Sequence, residues 1–228
     1  MIPCGLVLHR RMGTAVLVYG LLAASAAIWA LLAGRNPLWL PTRDAWLGEW
    51  VPSVAARTVL SLMLGVTVAL LAVRGTRVLV QRTAWAKRLH VELRAMVGPL
   101  TGAAIAFFAL TSGVVEELFF RGAMQPAFGV VLTSLLFGAV HVGPTRAFLP
   151  WTLWAAVMGA VFGALYAMTG SLLGPVAAHV LINYENMHYL VAYDPHPVAR
   201  ERRITPEAPT LVGAPVRTGG RPTPSRER

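Results

Sequence analysis

The chain places acids where water should be scarce. In "TSGVVEELFFRG", residues 111–122, Glu116 and Glu117 follow "LTGAAIAFFALTSGVV", a stretch with no charge, and Arg121 comes four residues after Glu117. Two later apolar runs carry His141 and then His179 with Asn183. A carboxylate can serve as a general base, a histidine can hold or move a proton, and an asparagine amide can stabilise a developing oxyanion. A charge at mid-membrane costs about 2.5–3.5 kcal/mol on insertion scales, so such residues point to function by default.

The elements that must position them are membrane helices. Of 228 residues, 56% are hydrophobic and only 13% are charged, against about 25% in a soluble domain. Mean hydropathy is +0.59. The composition predicts an all-α, polytopic membrane bundle of about six spans, with the site inside the last four. Residues 13–34, 53–73, 97–123, 128–143, 149–168 and 172–192 are the expected spans, since about 20 apolar residues cross the hydrocarbon. Residues 1–96 hold two spans and a basic segment, 97–193 the remaining four helices, and 194–228 a Pro- and Arg-rich tail expected to be disordered. The segment 74–94, rich in Lys and Arg with Glu92 its only acid, suits an amphipathic helix on the membrane surface. "LVLHRRMG" precedes a run long enough to span, which suits an anchor better than a cleaved leader.

The net charge of +10 follows from basic residues flanking apolar runs. That argues for orientation and lipid contact, with no nucleic-acid partner. Arg10, Arg11, the 74–94 segment, Arg146 and Arg200, Arg202 and Arg203 fall on one side, and Arg35 and Arg43 on the other. Both termini are then expected to be cytoplasmic. Trp39, Trp46 and Trp50 suit an interface. The single cysteine, Cys4, excludes an internal disulfide and a cysteine metal cage. The Ala-, Gly- and Arg-rich composition points to a bacterial, cytoplasmic-membrane protein.

Chain geometry can bring the polar residues together. Glu117 and His141 are 24 residues apart with Gly129 midway, so a hairpin there leaves two arms of about 18 Å. Pro126 and Gly129 supply turn chemistry. His179 lies nine residues past a second turn at Gly170, roughly 13 Å deep, and Asn183 is one helical turn further. Each residue alone has a plain structural reading: an interfacial acid pair, an i, i+4 ion pair, a histidine beside a loop, an interhelical hydrogen bond. Their coincidence at one depth on three helices favours a site.

The ordered triplet "EELFFR" (116–121), "FGAVH" (137–141) and "HVLIN" (179–183) resembles the CPBP family of intramembrane proteases, also called the Abi or CAAX-protease family. Its pattern is EExxxR, then FxxxH, then HxxxN. The resemblance covers about residues 97–190, with a shorter interval between the first two motifs than is usual there. It implies a glutamate-dependent endopeptidase with no cofactor, acting on a membrane-associated protein or peptide. Glu116 would activate water and His141 would hold it. His179 and Asn183 would polarise the carbonyl, and Glu117, Arg121 and Phe137 would support the site. Three alternatives stay open. Zinc could sit on Glu116, His141 and His179, although HExxH is absent. A transport or proton-relay protein also uses membrane Glu and His, but no repeat halves are visible. A non-catalytic immunity protein is the third. Substrates could be prenylated CAAX proteins or bacterial sorting and bacteriocin peptides.

Overall fold

The computed structural model describes residues 4–35 and 45–195, with side chains from Arg10 onward. The expected tail, Trp39, Arg43 and the basic residues past 195 lie outside the described residues. Seven α-helices, and no strand, form the described residues: α1 (Cys4–Leu32), α2 (Val54–Arg82), α3 (Ala84–Val97), α4 (Gly102–Glu117), α5 (Gln125–Ala139), α6 (Leu149–Thr169) and α7 (Leu173–Ala192). A π-helical turn, Leu118–Met124, joins α4 to α5, and a 3-10 turn, Arg146–Phe148, precedes α6. The protein is an all-helical membrane bundle. Val16, Leu17, Leu21, Met63, Val131 and Leu153 are exposed, which is the inverted surface expected of helices solvated by lipid.

Local sequence sets the helix ends. Ser53 caps α2 by accepting from Ala56 N–H at 3.3 Å. Thr83 stops α2 in extended backbone and caps α3 by accepting from Ala86 N–H. The basic segment expected over 74–94 is therefore divided, its first part continuing α2 and the rest forming α3.

Four helical stretches among the described residues are long and apolar enough to cross a membrane: Arg10–Leu32, Val54–Arg82, Gly102–Ala139 and Arg146–Thr169. The difference from six has two physical causes. The stretches expected at 97–123 and 128–143 are one helical run that reverses at Gly129. There φ is 76° and ψ 172°, backbone that a side chain would strain. Contacts mirrored about that residue prove the reversal: Phe120 meets Phe137 with ring centroids 5.0 Å apart, and Glu116 meets His141 at 3.7 Å. The returning arm, 130–139, is then only about 15 Å long. The second cause is α7, which has the length of a span but carries His179, Asn183, Glu185, Asn186 and His188.

α7 is the central strut, with α2 and α4 on either side. α2 runs parallel to it, as the pairs Ser61–Ser171 and Thr76–Asn186 show, and α4 runs antiparallel. The α2–α7 approach is too close for side chains. A methyl group added to Gly65 would lie 2.2 Å from Gly174 O, and one on Gly174 would lie 2.2 Å from Ser61 O. Small residues permit this kind of contact between membrane helices. α5 packs on α6 through Gly138 against Ala156 and Ser134 against Gly159.

One end of the bundle gathers the basic residues. Arg94 donates to Leu190 O, Val191 O and Tyr193 O at 2.7–2.9 Å, capping α7 with a cation. Arg11 donates to Val97 O, and His90 Nε2 donates to Tyr193 O at 3.0 Å. These bonds hold α3 across the end of the helices.

Replacing Gly65 by Ala should force α2 away from α7 and cost about 1–3 kcal/mol; thermal unfolding in detergent reads it. His90 supplies a second test. Burial lowers its pKa below the ordinary 6.5, and Arg94 adds to this against the opposing pull of the Tyr193 carbonyl and Asp194. The ring is thus docked neutral. Its contribution is complete above 6.5 and is lost as pH falls below it. The protection factors of the α3 amides, corrected for the base-catalysed intrinsic rate, should be lower at pH 5 than at pH 7.5, and His90→Gln should remove that difference.

Candidate active site

Helical geometry sends the two glutamates in different directions, since neighbours on a helix point about 100° apart. Glu117 turns inward and is fully buried. Its Oε1 accepts from Arg121 Nη1 at 2.8 Å and from His179 Nδ1 at 2.7 Å. Glu116 faces the cavity, and Glu117 is not part of its lining.

Arg121 is also fully buried. Its Nη2 donates to Gly159 O of α6 at 3.0 Å. The guanidinium lies 4.4 Å from the Phe137 ring centroid and 5.4 Å from that of Phe162. One side chain therefore ties α4, α5, α6 and, through Glu117 and His179, α7. The π turn continues this strapping. Its wider coil bonds Gln125 N–H to Phe120 O. It leaves Gly122 O and Ala123 O to accept from Arg35 at 3.4 and 3.1 Å. Gln125 Nε2 donates to Gly163 O at 2.9 Å. Such π turns recur at functional sites.

Around Glu116 the acceptors converge. His141 Nδ1 lies 2.7 Å from Phe137 O; a carbonyl only accepts, so Nδ1 carries the hydrogen and Nε2 presents a lone pair. That Nε2 is 3.7 Å from Glu116 Oε2. His179 Nε2 is 3.9 Å from the same oxygen. Glu116 Oε2 is buried without a hydrogen-bond partner among the described residues, and Oε1 accepts from Tyr19 O–H at 3.1 Å. Asn183 Nδ2 donates to Ser112 Oγ at 2.9 Å. Glu116, Phe137, His141, His179 and Asn183 all line one cavity of about 1070 Å³, whose other walls are mostly apolar and come from every helix, α3 included.

The structure thus brings Glu116, Glu117, Arg121, Phe137, His141, His179 and Asn183 to one place. Two contributors were absent from the sequence reading. Tyr19 sits in α1 with no motif around it. Ser112 sits one turn before Glu116, where a small polar residue in a Gly-rich membrane helix was the only signal.

Residues 99–184 match the sequence model of the family described as type II CAAX prenyl endopeptidase Rce1-like. That segment is similar to this family. It contains all three motifs, and it excludes α1, α2 and α3. The uncharacterized protein YpbD of Bacillus subtilis (strain 168) is 36% identical over 81 residues, which are 35% of this chain and 41% of that protein. The chain thus matches less than half the length of this relative. No solved structure matches.

The Glu117–Arg121 pair generates a stability test. Arg121→Leu leaves a buried carboxylate without its guanidinium and should cost about 3–5 kcal/mol. Adding Glu117→Gln to that variant should recover a large part, read as the detergent melting temperature.

Proposed function

We propose that the protein is an intramembrane endopeptidase in which Glu116 activates water for attack on a peptide bond of a membrane-associated substrate. The observation that carries this reading is the unpartnered Glu116 Oε2 facing two histidine Nε2 atoms in the wall of a large apolar cavity. Glu116 Oε2 and His141 Nε2, two acceptors 3.7 Å apart, suit a water molecule, which has two hydrogens to give.

The chemistry follows from the bonds in place. Tyr19 occupies Oε1, which leaves Oε2 to take a proton from water as its oxygen attacks the scissile carbonyl carbon. His141 Nε2 accepts the second hydrogen and fixes the direction of attack. The carbonyl oxygen becomes an oxyanion, and the free N–H of Asn183 is the donor for it. His179 can add a second donor only with hydrogens on both ring nitrogens, and Glu117 is placed as the counter-ion of that form. Collapse of the tetrahedral intermediate breaks the C–N bond. Glu116 returns its proton to the departing nitrogen, giving a carboxylate product and an amine product. The resemblance to the family implies a prenylated CAAX protein or a sorting or bacteriocin peptide as substrate, each of them membrane-associated. The basic end of the bundle faces the cytoplasm under the positive-inside rule, in a bacterial membrane.

Zinc is the second reading, favoured by one observation. The Nδ1 atoms of His141 and His179 are held by a carbonyl and a carboxylate, as the rings of zinc ligands usually are. The spacing argues against it. Tetrahedral zinc sets its ligand atoms about 3.4 Å apart, and both gaps to Glu116 Oε2 are wider, at 3.7 and 3.9 Å. Among the described residues no group of three His, Cys, Asp or Glu has metal-holding spacing.

Purified protein in detergent should cleave lipidated peptides. Glu116→Gln should lower kcat by at least about 10³-fold and His141→Ala by about 10²-fold, both with the melting temperature retained. Activity in Glu116→Gln equal to wild type would overturn the assignment. Saturating 1,10-phenanthroline should leave the rate within twofold; loss of activity that zinc restores would select the metal reading. Tyr19→Phe should weaken kcat about tenfold, since Glu116 Oε1 loses the hydrogen bond that orients its carboxylate.

A further inference from the structure

The polar face of α7 extends beyond the three motifs. His179, Asn183 and Asn186 stand at i, i+4 and i+7, on one side of the helix, and all three line the cavity. Each asparagine is gripped by a hydroxyl from a different neighbour. Asn183 Nδ2 donates to Ser112 Oγ of α4 at 2.9 Å, and Ser112 gives its hydrogen to Phe108 O at 2.7 Å. Asn186 Oδ1 accepts from Thr76 Oγ1 of α2 at 3.2 Å, and the same hydroxyl reaches Val73 O at 2.9 Å. That bond fixes the Asn186 carboxamide through its oxygen and leaves both Nδ2 hydrogens free.

Asn183 is fixed by one N–H and keeps the other N–H and its carbonyl oxygen; Asn186 is fixed through its oxygen and keeps both N–H groups and one lone pair. Each residue is half-buried rather than sealed between helices. An asparagine that only joins two helices has no need to stand in a cavity wall. A carboxamide with a free N–H and a free oxygen lone pair is the complement of a peptide unit. The spacing fits as well. Side chains at i and i+3 start about 5–6 Å apart at Cβ, and like-facing peptide groups along an extended chain recur about every 6.6 Å.

We propose that Asn186 binds the main chain of the substrate, pairing with the peptide unit two residues from the one whose carbonyl Asn183 engages. The substrate is thereby held extended along α7, past Glu116. Recognition at that position reads backbone and tolerates any side chain. The inference rests on the peptidase reading above, because it takes the scissile bond to lie against Glu116 and Asn183.

The test uses the full-length protein in detergent and a library of myristoylated decapeptides with randomised sequence, with products read by mass spectrometry. The best-cleaved member is then made again with single N-methyl groups along its backbone. Asn186→Ala should raise KM about 3–10-fold, the factor expected for one hydrogen bond, with kcat within twofold. Thr76→Val, which frees the amide, should give a smaller rise of the same kind. One N-methyl position should weaken wild type and leave Asn186→Ala unaffected, a coupling that a merely structural residue would not show. If Asn186→Ala fails to fold, Asn186→Ser carries the same comparison. Cleavage that Glu116→Gln abolishes, with KM unmoved by Asn186→Ala and every N-methyl effect equal in both proteins, overturns this inference alone. A library that wild type leaves intact, or cleaves as well with Glu116→Gln, overturns the peptidase reading and the inference with it.

Discussion

The buried carboxylate of Glu117 is the constraint on which the arrangement turns. A fully buried charge is expensive unless it is paired and hydrogen-bonded. Its Oε1 satisfies two demands at once, the Arg121 guanidinium and the His179 ring. Arg121 spreads that constraint outward to Gly159 O and the Phe137 face. Four helices must therefore hold one register, because a shift of any of them strands a charge in apolar surroundings. The adjacent Glu116 is left with different duties: its neighbour bears the structural role, so its own Oε2 can face a cavity without a protein partner.

This division could be read only in part from the sequence. The motifs and their common depth were legible because a hairpin fixes depth by counting, and Gly129 marked the fold by the one residue type that tolerates its backbone. The rotation of the helix was not legible. Composition says that both glutamates lie in an apolar run and cannot say which faces the cavity, since that depends on how α7 and α6 dock. The span number is less legible for a related reason. Length and apolarity do not reveal that the arm after Gly129 stops at Ala139, or how far the polar residues of α7 lower its apolarity.

Tyr19 shows the other limit. It is an ordinary tyrosine in an uninterrupted apolar helix, and aromatic residues in such helices usually need no explanation. Only the parallel packing of α1 beside α4 brings its hydroxyl to Glu116. The N-terminal helices lie outside the segment that matches the Rce1-like family, yet they close the cavity. α1 supplies a donor to Glu116, α2 supplies Thr76, and α3 supplies a wall. The motif-bearing segment places Glu116, His141, His179 and Asn183, and the preceding helices wall the cavity they line.

That arrangement also explains why α3 is held by polar bonds rather than by a deep apolar core. Its packing face must double as a cavity wall, so few of its side chains are fully buried: Ala86 and His90 alone. Hydrogen bonds from Arg94, His90 and Arg11 to backbone carbonyls fix the helix without filling the space it encloses. Carbonyl acceptors at the end of α7 have no helical partner of their own, and the two hydrogens of Arg94 Nη1 are shared among three of them. The same bonds that complete the end of α7 thus keep open the chamber that α7 lines with His179, Asn183 and Asn186.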